Sequence, residues 1–83
     1  MNFFLLSKHQ SIEENILVSS KILYQLLDKP KHIDELFLEY ASKQNYILSL
    51  NIERILYLCL TFLYSVGRIT VKNNMVMRTK NDT

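Results

Sequence analysis

From Ser11 onward, apolar residues recur three and four positions apart: Ile12, Ile16, Leu23, Leu26 and Leu27 share one face with Ser19. This spacing predicts an amphipathic helix to about Leu27. Ser11, with Glu14 three positions later, supplies a capping-box pattern at its start. Leu17 and Tyr24 fall together on a second side and Val18 on another flank, so the apolar surface is wider than one stripe. "DKPKH" is predicted as a loop, because Pro30 lacks an amide hydrogen and pushes Lys29 out of helical geometry. In "HIDELFLEYASKQ", Ile33, Leu36, Phe37, Tyr40 and Ala41 fit one helical face, and Asp34 with Glu35 suit a positive N-terminal end. "NYILSLN" stays open between a loop and a short extended or helical turn, with Ser49 or Asn51 able to cap the next helix.

A third helix is predicted from Leu50 to Val66, with Ile52, Ile55, Leu56, Cys59, Phe62, Leu63 and Val66 toward a core. Gly67 stands where a left-handed C-terminal cap needs a glycine. "RITVK" alternates, "NN" tolerates positive φ, and "MVMR" returns, which together predict a β-hairpin. Three helices followed by a two-stranded wing predict a mainly α chain with a small β-hairpin, an α+β winged-helix domain. One such domain spans residues 1–83, with residues 1–10 as an N-terminal arm and 78–83 as a flexible tail. A three-helix bundle with a disordered tail shares most of this pattern but gives no reason for the alternation from Ile69 to Val76.

The outward side of the third helix sets the functional question. A DNA-reading winged helix presents Arg, Lys, Asn or Gln to the major groove there. This one presents Asn51, Glu53, Arg54, Tyr57, Leu58, Leu60, Thr61, Tyr64 and Ser65, in which one Arg and one Glu nearly cancel. Tyr57, Thr61 and Tyr64 form a stripe flanked by Leu60, roughly 10 Å long at ~1.5 Å of rise per residue. Tyrosine combines rigid apolar area with a polar tip and is favoured in interfaces. The tyrosines either cover the edge of a small core or contact another chain. Leu17 and Tyr24 extend the second reading, as does the opening "NFFLL", where Phe3 and Phe4 need burial and His9 ends the arm within reach of a partner.

Charge offers the rival class. The net charge is only +2, but after Glu53 the next acid is Asp82, and Arg54, Arg68, Lys72, Arg78 and Lys80 lie between. These residues suit phosphate contacts in a small DNA-binding transcriptional regulator, or simply a solvated hairpin. Chemistry is thinly supplied. The only histidines are His9 and His32, Cys59 is the lone cysteine, and one glycine cannot build a phosphate loop. No catalytic constellation, cofactor site or paired metal-ligand spacing emerges from these residues, and the expectation is a non-enzyme. Cys59 reads as a small buried filler. "MNFFLLSKH" lacks a basic n-region and cleavage site, and Ile55–Val66 is far shorter than the roughly 20 residues of a membrane span, so a cytoplasmic protein is expected.

"LLSKH", "ILVSSKILYQLLDKPKHIDELF" and "LNIERILYLCLTFLYSVGRI" together resemble the small middle components of bacterial ABC-three-component systems, especially the short class six. The likeness runs from about Leu5 to Met77 and rests on Lys8, His9, Asp34, Glu35, Leu36, Phe62, Leu63, Tyr64, Gly67 and Ile69. "NYILSL" does not align with the family pattern. The resemblance implies a non-enzymatic subunit, without cofactor, that partners an SMC/Rad50-like ATPase and an effector in an anti-phage defence system akin to Lamassu. It also implies a possible homodimer and at most indirect contact with DNA. Residues of the interaction surface under this reading are Tyr57, Leu60, Thr61, Tyr64, Leu17, Tyr24, Phe3, Phe4 and His9.

Overall fold

The computed structural model describes residues 12–80, with side chains from Asn15 onward. Six elements run in order: α1 (Ile12–Leu26), β1 (Lys31–His32), α2 (Ile33–Gln44), α3 (Leu50–Ser65), β2 (Ile69–Lys72) and β3 (Met75–Arg78). The sheet is antiparallel in the order β1-β3-β2, with Val71 opposite Val76 and Val76 opposite Lys31. Three helices, with a short strand after the first that pairs with the wing, make an α+β fold of winged-helix-like arrangement. The expected capping box depends on Ser11, which lies outside the described residues.

Each boundary has a local cause. Asn45 adopts φ 60°, ψ 37°, and stops α2 as its amide reaches back to the Ala41 and Ser42 carbonyls. This resolves "NYILSLN" into a helix stop and an irregular connection, after which the Ser49 hydroxyl accepts from the Ile52 amide at 3.3 Å and caps α3. Gly67, at φ +78°, donates to the Tyr64 carbonyl at 3.0 Å and ends α3 in the expected left-handed turn. Asn73 and Asn74, at φ 54° and 65°, form the two-residue hairpin turn whose paired positive φ angles match the twist of the strands. Arg78 closes β3, so the ordered wing reaches one residue into the expected tail.

The core lies between α1 and α3 and is closed by α2 and the sheet. Leu23, Leu27, Leu36, Leu56, Ile69 and Val76 are fully buried, each contributing about 1.5–3 kcal/mol by leaving water. Ser19 and Tyr40 meet across α1 and α2 in a buried 3.1 Å hydrogen bond, which satisfies both hydroxyls. Cys59 is buried as expected, with Sγ donating to the Ile16 carbonyl at 3.6 Å. Burial pushes its thiol up to about 11.

"DKPKH" proves to be more than a loop. Lys31 turns inward on β1 and is only 5% exposed. Its ammonium donates to the Leu26 carbonyl at 2.7 Å and to Glu39 Oε1 at 2.6 Å, and lies 3.2 Å from Asp28. Its three protons therefore tie the end of α1, the connecting turn and α2 together. The hydrogen bond to Glu39 is the main influence raising the Lys31 pKa, and Lys31 in turn lowers that of Asp28.

Two outcomes test this core. Glu39→Ala is expected to destabilise the fold more than Lys31→Met, by about 1–2 kcal/mol in urea unfolding, because it leaves a near-buried ammonium short of a partner while the other change removes the charge. The reverse order would show that the lysine stem matters more than its charge. The Cys59 thiol ionises near 9.0 when unfolded and near 11 when folded, so the folded chain holds this proton more tightly. Its contribution is complete below the lower value and lost as pH rises through the upper. Wild type should lose on the order of 2 kcal/mol more stability than Cys59→Ala across that interval.

Candidate partner-binding surface

The inward side of α3 is set by Ile52, Leu56, Cys59, Leu60 and Leu63, all buried. Its outward side carries Arg54, Tyr57, Leu58, Thr61, Tyr64 and Ser65. Tyr57 is 50% and Tyr64 60% exposed, so the tyrosine stripe is surface and not merely the edge of the core. The ring of Tyr57 is nevertheless fixed, meeting buried Phe37 edge-on with centroids 5.0 Å apart at 77°. Thr61 turns its hydroxyl back to the Tyr57 carbonyl at 2.9 Å, which removes the donor from the outward surface.

Leu60 departs from expectation. It is 5% exposed rather than outward, because it lies on the flank of α3 that faces α2 and the sheet. There it lines a shallow groove of about 300 Å³ with Ile33, Tyr57, Thr61, Tyr64 and Val71. No charged side chain among the described residues lines this groove. Val66 departs in the other direction: placed in the core by its spacing, it is half-exposed because α3 ends at Ser65 and the helical phase is lost one residue too soon.

Leu17 and Tyr24 belong to a different groove, of about 460 Å³, between α1 and α3. The expected contact residues therefore divide between two concave surfaces on either flank of α3. Phe3, Phe4 and His9 lie outside the described residues. Leu38, Ile47 and Leu50 are also exposed; Leu38 lies off the α2 face that its spacing defines, and Ile47 and Leu50 lie in or beside the α2–α3 connection.

The basic residues also divide. Arg54, Arg68, Lys72 and Lys80 are exposed and form no ion pair with a described residue. Arg78 is engaged within the fold. Its Nε and Nη2 donate to the Tyr24 carbonyl at 3.1 and 2.8 Å, and its guanidinium stands 4.4 Å from the Tyr24 ring centroid. It joins the wing to the negative C-terminal end of α1 and covers part of Tyr24. No cluster of three or more His, Cys, Asp or Glu side chains among the described residues is placed to hold a metal ion. No helix among them is long and apolar enough to cross a membrane.

Comparison with known proteins adds family and extent. Residues 5–80 match the family described as ABC-three component (ABC-3C) system Middle Component 6. The uncharacterized protein YydC of Bacillus subtilis (strain 168) is 63% identical over 81 residues, covering 98% of this chain and 61% of YydC. The chain thus spans about three fifths of the length of that relative. No solved structure matches it.

Arg78→Ala is expected to lower stability by on the order of 1 kcal/mol, whereas Arg54→Ala should stay within about 0.5 kcal/mol of wild type in thermal melts. Equal effects would remove the structural role given to Arg78.

Proposed function

Because the chain belongs to the Middle Component 6 family of ABC-three component systems, we propose that it is a non-enzymatic adaptor. It joins an SMC/Rad50-like ATPase, an effector of the same system, or both, in an anti-phage defence complex akin to Lamassu. The observation that carries this reading is the outward side of α3. Where a DNA-reading domain needs an array of donors and acceptors, this helix offers half-exposed tyrosines around an uncharged groove floored by Leu60. Such a surface gains free energy by excluding water against another protein and gains little from a phosphate backbone. The engagement of Arg78 within the fold weakens the regulator alternative further, since it takes one of the five candidate phosphate contacts. Neither the cytoplasm nor self-association is needed for the proposal, though both are compatible with it.

The test is co-purification of the tagged chain with the products of its neighbouring genes. Wild type is expected to retain an SMC-like ATPase or an effector. The double variant Tyr57→Ser/Tyr64→Ser should keep its helical circular dichroism and bind about 10–100-fold more weakly, as loss of two interface anchors implies. A folded double variant that assembles as wild type does would refute the role given to α3.

A further inference from the structure

The groove between α1 and α3 differs in chemistry from the tyrosine groove. Leu17, Tyr24, Phe62 and Val66 supply apolar lining, while Lys21 and Arg68 contribute two cations and no carboxylate of the described residues accompanies them. Both cations are exposed, and neither forms an ion pair with a described residue. The third nearby cation, Arg78, is occupied by the Tyr24 and Gln25 carbonyls. Ser20 lines the floor of the groove and is 2% exposed.

We propose that this groove receives an acidic amphipathic helix from another component of the system. Apolar side chains of that helix seat against Leu17, Tyr24, Phe62 and Val66, and its carboxylates pair with Lys21 and Arg68. The dimensions agree. Leu17 to Tyr24 covers about 10 Å of helix at ~1.5 Å per residue, the span of an i, i+4, i+7 set of anchors on an incoming segment. Apolar seating supplies affinity, and the two cations fix orientation and select against neutral or basic helices. This deepens the adaptor reading and rests on it, but it concerns a surface separate from the tyrosine groove.

The experiment measures fluorescence polarisation of overlapping 20-residue peptides that tile the neighbouring-gene products, titrated with the full chain. At least one acidic amphipathic peptide should bind, more weakly as salt rises. Lys21→Glu/Arg68→Glu should weaken that binding by about tenfold or more, as reversal of two rim charges implies. Tyr57→Ser/Tyr64→Ser should leave it within about twofold, since those residues lie on the other flank. Circular dichroism checks that both double variants remain folded. The proposal is overturned if no acidic peptide binds, if the bound peptides lack carboxylates, if charge reversal has no effect, or if a 20-base-pair duplex displaces the peptide. Assembly of the tagged complex without acidic-peptide binding would overturn this inference and leave the adaptor reading standing; failure of assembly would remove the adaptor reading itself.

Discussion

The organising constraint is that α3 is apolar around more of its circumference than a small core can cover. Ile52, Leu56, Cys59, Leu60 and Leu63 are buried on its inward side. Tyr57, Leu58, Tyr64 and Val66 are then left at the surface on the same element or at its end. A domain of this size buries only about 60–65% of the surface its unfolded chain exposes, so the excess cannot be absorbed internally. Exposed apolar area of this kind is a liability unless it has a use. The proposed adaptor role gives it one.

Polar interactions set the geometry within which that surface is presented. Lys31 ties the end of α1 to α2, and Arg78 ties the wing to the same end of α1. Both act on the terminal carbonyls of α1, where the helix has unsatisfied acceptors and a partial negative charge. Both ties lie at the C-terminal end of α1, where Tyr24 lines the groove between α1 and α3. The tyrosine groove is held differently, by the edge-on contact of Tyr57 with Phe37 and by Val71 on the first strand of the wing.

The fold was legible because its signals are local and periodic. Ile33, Leu36, Phe37, Tyr40 and Ala41 announce α2 by spacing alone, Gly67 marks the end of α3, and Asn73 with Asn74 mark the hairpin turn. β1 was not legible, since two residues after a proline have no period and Lys31 is an improbable inward residue until its three partners are known. Leu60 and Val66 exchanged their expected sides because the inward arc of α3 depends on where α2 and the sheet approach and on where the helix ends. For the same reason the candidate contact residues could be named but not grouped. Leu17 and Tyr24 share a period with each other, and only the packing of α1 on α3 separates them from Tyr57 and Tyr64. The family resemblance agreed with the match over residues 5–80, because it rested on residues spread along most of the chain.

The most direct measurement is site-specific photocrosslinking in the assembled complex, with the crosslinking amino acid placed at Tyr64 and, as a control on the far end of α2, at Lys43. Docking through α3 predicts an efficient crosslink from position 64 to another component of the system and little from position 43. An intact complex in which position 64 captures nothing, or no more than position 43 does, would contradict it.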